Sequence, residues 1–208
     1  MTYRQDSSSP GCSDGSPRVG AVLLAAGEST RFGDKNKLLA EIHGDPIVRH
    51  ATEPLCTAIP GEVVAVVGHD ETAVRACLDD LPVSFRSNPA YEAGQSTSVR
   101  AGVREARARD WVGTVFVLGD MPFISPDSID ALVKNYVDGA GSILAAAYEG
   151  TRGNPVLFDE KHYETLTDVT GDVGGRQLVE THPESALVET NDPGVLRDID
   201  EQSDLSSE

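Results

Sequence analysis

The chain is poor in cysteine, aromatic side chains and positive charge, and it has no long apolar run. Its 208 residues include three cysteines, Cys12, Cys56 and Cys77. That odd number and those spacings fit neither a disulfide framework nor a zinc motif. None is needed, because a domain of this length buries roughly 70% of its unfolded surface. Cys56 and Cys77 fall in helix-like stretches and read as core thiols, which suits a reducing cytoplasm. No apolar stretch approaches the ~20 residues of a membrane-spanning helix. Residues 1–17 lack the apolar centre of a secretory signal and read as a flexible Ser/Gly/Pro-rich tail, followed by one domain over 18–205. The histidines, His43, His50, His69, His162 and His182, show no metal-ligand spacing and suggest no His-based nucleophile.

Lysine and arginine total 17 against 34 aspartates and glutamates, a formal net charge of −17. This balance argues against binding nucleic acid by phosphate neutralisation. The acidity can serve solubility alone, and it also suits a salt-rich, halophilic cytoplasm in which self-repulsion is screened. It also gives weight to the few cations that stand inside motifs.

What is present is an alternation of apolar runs and helical patterns, the signature of a mostly parallel sheet. Strands are expected at Val19–Ala25, Glu62–Val67, Val83–Phe85, Thr114–Leu118, Ser142–Ala147, Pro155–Phe158, Leu187–Glu189 and Leu196–Ile199. Helices are expected at Pro46–Ala58, Glu71–Leu78 and Ser96–Arg109, and after Ser125-Pro126, a start signal with Ser at N-cap and Pro at N1. Several strands are continuously apolar and should be covered on both faces. The expected fold is a Rossmann-like three-layer α/β/α sandwich, its sheet mostly parallel with a small antiparallel element.

Chemistry concentrates in a few segments. Strand Val19–Ala25 runs into Ala26-Gly27-Glu28-Ser29-Thr30-Arg31, and Lys37 follows. Small residues let phosphates approach the backbone, Arg31 can fork onto phosphate oxygens, and Lys37 offers a point charge. The loop is neither a Walker loop, lacking Gly-Lys-Ser/Thr, nor a dinucleotide fingerprint, lacking GxGxxG. In Val117-Leu118-Gly119-Asp120-Met121-Pro122 an aspartate stands at the carboxyl end of a buried strand, where open α/β sheets bind ligands and where a carboxylate suits Mg²⁺. Asp198-Ile199-Asp200 places two carboxylates on one face by alternation. Gly94-Gln95-Ser96-Thr97-Ser98 puts hydroxyls and free N–H groups at a helix start, where Ser96 or Thr97 could also act simply as caps.

The opening loop resembles the LAAGxSxRxG…K signature of nucleotidyltransferases. GDMP, the G-x-S-x-S segment and D-x-D resemble further motifs of the same superfamily, although Glu201-Gln202 replaces the usual Thr-Pro of its closing segment. Gly153-Asn154-Pro155-Val156-Leu157-Phe158 and Gly171-Asp172-Val173-Gly174-Gly175-Arg176 resemble segments of its molybdenum cofactor branch. The chain is most similar to the molybdenum cofactor cytidylyltransferases and their guanylyltransferase relatives. The resemblance implies a glycosyltransferase-A-like fold and nucleotide contacts at Leu24, Ala25, Ala26, Gly27, Ser29, Arg31, Lys37, Gly94, Ser96, Ser98 and Gly119. It implies catalytic roles for Lys37, Arg31 and Asp120, Mg²⁺ at Asp120 and Asp200, and acceptor contacts at Asn154, Asp172, Gly174 and Arg176.

The implied reaction is transfer of CMP from CTP to the phosphate of molybdopterin, releasing pyrophosphate, with transient contact to a recipient molybdoenzyme or its chaperone. No nucleic acid or membrane partner is expected. Transfer of GMP from GTP, a different small phosphorylated acceptor such as a sugar or polyol phosphate, and a non-catalytic nucleotide-binding protein stay open as alternatives. The last has no need of Lys37 or Asp120, and both are present.

Overall fold

The computed structural model of the chain describes residues 18–29, 32, 36–168 and 175–207; the expected tail over 1–17 lies outside them. The strands are β1 (Val19–Ala25), β2 (Glu41–Ile42), β3 (Asp45–Pro46), β4 (Val63–Val67), β5 (Val83–Ser87), β6 (Gly113–Leu118), β7 (Ile143–Tyr148), β8 (Thr151–Asp159) and β9 (Ser185–Glu189). The helices are α1 (Ile47–Ala58), α2 (Glu71–Ala76), α3 (Gln95–Ala108), α4 (Pro126–Val137), α5 (Tyr163–Asp168) and α6 (Arg176–Thr181). One sheet has the order β5-β4-β1-β6-β8-β7-β9, while β2 and β3 pair separately. Every pairing in the large sheet is parallel except the two made by β8.

The order positions the site. From β1 the chain steps outward through β4 to β5, then returns to lay β6 on the other side of β1. That reversal opens a crevice beyond the carboxyl ends of β1 and β6, where open α/β sheets take their ligands.

Burial follows from the apolar runs. All five residues of β4 are buried, so both faces of this strand are covered. On β1, Ala21, Leu23 and Ala25 pack with Val48 and Leu55 of α1 and Ile129 and Leu132 of α4. The intervening Val22 packs on the other face with Val99 and Val103 of α3 and Leu166 of α5. The three layers are therefore α1/α2/α4, sheet, and α3/α5/α6. Helix α1 buries Val48, Ala51, Thr52 and Leu55, the stripe that a 3.6-residue period aligns. Helix α3 lies hard on β1: a Cβ at Gly102 would stand 2.7 Å from Val22 Cγ1. Ser125 caps α4 as expected, its Oγ accepting from the Asp127 N–H at 3.2 Å with Pro126 at N1.

Two expectations are corrected. Leu196–Ile199 is not a strand. Pro193–Leu196 instead forms a 3-10 turn, because Asp192 accepts from the Gly194 N–H at 2.8 Å and starts a helical turn at Pro193. Strand β8 begins at Thr151 rather than Pro155. Glu149 and Gly150 both have positive φ, 49° and 75°, which fits a tight primed hairpin turn that pairs Tyr148 with Thr151.

Candidate active site

Lys37 opens a 3-10 turn, Lys37–Leu39, at the edge of the crevice. Asn36 caps the turn, its Oδ1 accepting from the Leu38 N–H at 3.0 Å and from the Ser29 hydroxyl at 3.2 Å. Leu38 is buried and anchors the turn in the core. Asp120 stands just past β6, where Gly119 N–H donates to the Leu24 carbonyl at 2.9 Å and prolongs the β1–β6 ladder. A Cβ at Gly119 would lie 3.1 Å from that same oxygen, so the close approach favours glycine. The segment bearing Asp198 and Asp200 is tied to Asp120 by the Ile199 N–H, which donates to its carbonyl at 2.9 Å. Ile199 is buried with Phe32, Ile42 and Ile47.

Three carboxylates thus converge: oxygens of Asp120, Asp198 and Asp200 all lie within 4.8 Å of one another. Lys37 Nζ sits 2.5 Å from Asp120 Oδ2 and 3.1 Å from Asp200 Oδ1. Burial pulls the Lys37 pKa down, but Asp120 and Asp200 outweigh burial and hold it above the ordinary lysine value. Desolvation, followed by the charges of Asp120 and Asp200, pushes the Asp198 carboxyl up. Among the described residues the buried Asp120 Oδ1 has no hydrogen-bond partner. A set of hard oxygen donors with one lone carboxylate oxygen suits a divalent cation.

A cavity of about 370 Å³ reaches the Lys37 and Asp120 side of this cluster. Leu24, Ala26, Gly27, Ser29, Lys37, Gly94, Ser98 and Gly119, all expected nucleotide contacts, line it together with the expected metal ligand Asp120. Among the described residues nothing lies within 4 Å of a Cβ built at Gly27, so they leave its backbone open to a ligand. Ala25 is buried in the core instead, and Ser96 is 1% exposed, its Oγ without a partner among the described residues. Neither Ser96 nor Thr97 caps α3. The N-cap is Gly94, at φ 98°, and the Thr97 hydroxyl donates back to its carbonyl at 2.8 Å. Asn88 Nδ2 donates to Thr97 Oγ1 at 2.8 Å and to Ser98 Oγ at 3.0 Å, fixing this helix start.

A second cavity, of about 430 Å³, shares Leu24, Gln95 and Leu118 with the first. Asn154 and Arg176 line it, on β8 and at the start of α6. The expected sites Arg31, Asp172 and Gly174 lie outside the described residues. Sequence reasoning did not select Asn36, Asp198, Arg152, Tyr91, Glu92 or Gln95 as site residues, although these line the cavities or build the cluster. For Asp198 the signal was present in the D-x-D alternation. For Asn36 it was an Asx residue directly ahead of a Lys-Leu-Leu turn. The half-buried Cys56 and Cys77 pack against the core as expected, and His162 is buried in a structural contact with Ser142.

Residues 21–186 match the model of the MobA-like NTP transferase domain. The chain is 30% identical over 198 residues to the purine catabolism protein PucB of Bacillus subtilis (strain 168), covering 89% of this chain and 93% of that protein. It is 28% identical over 193 residues to nicotine blue oxidoreductase of Paenarthrobacter nicotinovorans, covering 88% and 93%. Among solved structures, Rv0371c from Mycobacterium tuberculosis H37Rv aligns with a TM-score of 0.78 at 22% identity, over 92% of this chain and 97% of that one. A complex of the same protein with manganese aligns at 0.71 and 25% identity, over 91% and 97%.

Proposed function

This chain belongs to the MobA-like NTP transferase family, and we propose that within it the protein transfers CMP from CTP to the phosphate of molybdopterin. The observation that carries this reading is the meeting of Lys37 with Asp120 and Asp200 at the carboxyl ends of β1 and β6, beside a cavity walled by the glycine-bearing loop. The second cavity, sharing a wall with the first, suits the acceptor, with Asn154 and Arg176 among its polar groups. The likeness of Gly94–Ser98 and Gly153–Phe158 to segments of the cytidylyl branch favours CTP over GTP.

In this reading an oxygen of the acceptor phosphate attacks the α-phosphorus of CTP. A new P–O bond forms, the α–β phosphoanhydride bond breaks, and its electron pair leaves on pyrophosphate. The attacking oxygen is already ionised, so positioning and charge stabilisation do the catalysis and no strong base is required. Lys37 stabilises charge on the α-phosphate, and Arg31 is assigned to the departing pyrophosphate. Asp120, Asp200 and the neighbouring Asp198 would hold Mg²⁺, whose charge would neutralise triphosphate oxygens. The manganese complex of Rv0371c supports a divalent ion here. The shared wall brings the two ligands together, so the reaction becomes effectively unimolecular.

The test is pyrophosphate release from CTP, GTP, ATP and UTP, each with Mg²⁺ and molybdopterin, in high salt. Release from CTP alone is expected. Release from GTP alone would keep the mechanism and move the base assignment to guanine. CTP binding without release from any nucleotide would mean that the acceptor is wrong or that the protein only binds.

A further inference from the structure

The 3-10 turn Gln202–Ser207 touches two separate segments of the site. Asp204 Oδ2 accepts from the Asp200 N–H at 2.9 Å and from the Glu201 N–H at 2.8 Å. Gln202 Nε2 donates to the Phe32 carbonyl at 3.2 Å, across 170 residues of sequence. Phe32 lies between the glycine-bearing loop and Lys37, and its own N–H donates to the Ser29 carbonyl at 2.8 Å. Leu205 adds an apolar contact, packing against the buried cluster of Phe32, Ile42, Ile47 and Ile199.

Together these contacts close a circuit around Lys37. Its ammonium meets Asp200 at 3.1 Å, and Asp204 holds the Asp200 main chain. From the same turn Gln202 reaches Phe32, which is tied to Ser29. The Ser29 hydroxyl donates to Asn36 Oδ1 at 3.2 Å, and Asn36 starts the turn that bears Lys37. A carboxylate steadying the start of its own turn would account for Asp204 alone. It does not account for Gln202, whose bond leaves the turn for a distant segment. Gln202 also stands where the resembled closing segment has proline, which offers no side-chain donor. The tie to Phe32 therefore comes from this chain's departure from that pattern.

We propose that residues 202–205 form a strap that keeps the Asp200 carboxylate and the loop ahead of Lys37 in register, with Asp204 as the positioning residue for a divalent cation and Gln202 as the tie to the loop. A carboxylate ligand is oriented by the groups behind it as much as by the ion. Here the group behind it acts through the backbone: Ile199 is bonded to the Asp120 carbonyl, and Asp200 is bonded to Asp204. The proposal rests on the reading of Asp120 and Asp200 as metal ligands. It adds two residues that act through others.

The probe is Mn²⁺ alone, titrated into the metal-free full chain in high salt and read from the paramagnetic resonance of the free ion. Asp120→Asn marks which bound Mn²⁺ belongs to the cluster. Asp204→Ala should weaken that site by about 10-fold, the usual cost of losing a partner behind a ligand. Asp204→Asn should stay within about 3-fold of wild type, because its amide oxygen still accepts from both N–H groups. Gln202→Ala should speed hydrogen exchange at the Phe32 N–H by about 10-fold in the metal-free chain, since the loop opens more often without its tie. Thermal unfolding checks that each variant is folded at the temperature of titration. Unchanged Mn²⁺ affinity in Asp204→Ala, at a site that Asp120→Asn abolishes, would overturn the strap and leave the metal reading intact. Equal losses in Asp204→Ala and Asp204→Asn would overturn the positioning role. Mn²⁺ binding indifferent to Asp120→Asn would overturn the metal reading itself. The strap would then be judged by exchange at Phe32 and Ile199, and rates in Asp204→Ala and Gln202→Ala equal to wild type would overturn it.

Discussion

Lys37 sits between two carboxylates, and that position decides how it can act. An ammonium is compact enough to approach Asp120 at 2.5 Å and Asp200 at 3.1 Å from one nitrogen. A planar guanidinium with five donors does not fill the same gap. Lys37 balances part of the local negative charge; in the proposed reaction it would meet charge that grows on the α-phosphate in the transition state. We expect Lys37→Ala to lower kcat by about 100- to 1,000-fold, the usual cost of removing one preorganised donor at a developing charge. The CTP dissociation constant should change by no more than about 3-fold, because a transition-state contact is spent little on ground-state binding. Equal losses in kcat and affinity, measured by single-turnover kinetics and calorimetry, would falsify the transition-state role. Much at this scale was legible beforehand. Phosphate chemistry admits few residue types, so Lys37, Asp120 and Asp200 stood out as a cation and two carboxylates, although the strand expected to carry Asp200 is not one. Asn36 did not, because its contribution is a pair of hydrogen bonds that shape the turn, and such bonds leave no charge signature in a sequence.

Between elements, the carboxylate cluster depends on holding two distant segments together. Asp192 does this. Its Oδ2 accepts from the Ser125 N–H at 2.8 Å and the Ser128 hydroxyl at 2.7 Å, while its Oδ1 accepts from the Gly194 N–H. It therefore clasps the start of α4, shortly after Asp120, to the turn that leads into Asp198 and Asp200. Its charge also lies at the positive end of the α4 dipole. Asp192→Ala should destabilise the fold by about 2–3 kcal/mol, from the lost charged bonds and an unpaired N–H at a helix start. Thermal unfolding measures this. The half-saturating Mn²⁺ concentration should rise in the same variant, whereas Ser128→Ala, which removes one of the three bonds, should show a smaller effect on both. Unchanged Mn²⁺ affinity in a folded Asp192→Ala would separate the clasp from the carboxylate cluster. The buried strands were readable as apolar runs, because a strand covered on both faces has to be apolar throughout. The expected strand Leu196–Ile199 was not, because its apolar residues satisfy a 3-10 turn and one bridging N–H rather than a ladder. The alternative of a side-chain cap on α3 fails for a related reason: Gly94 takes the position, and the Thr97 and Ser98 hydroxyls turn inward to Asn88 and the Gly94 carbonyl.

For the whole molecule the governing quantity is charge. With 34 acidic and 17 basic residues, the native state concentrates a net charge of −17 that the expanded chain can spread apart. Folding therefore works against self-repulsion, and salt should relieve it. The screening length falls from about 30 Å at 0.01 M to about 3 Å at 1 M, so most relief is expected within that range. The melting temperature should rise steeply with NaCl up to about 1 M and then flatten. Stabilisation by exclusion of salt from the surface would instead continue to climb and would be stronger in sulfate than in chloride. The same surface repels a nucleoside triphosphate at long range, so salt should also raise its association rate. The short contacts to Lys37 are part-buried and far less sensitive to screening. A melting temperature that is flat from 0.01 to 1 M, by calorimetry, would mean that the acidic residues are too well dispersed to repel. The salt-rich setting inferred from composition would then lose its physical basis, while the phosphate chemistry, which rests on a few residues at the ends of β1 and β6, would be untouched.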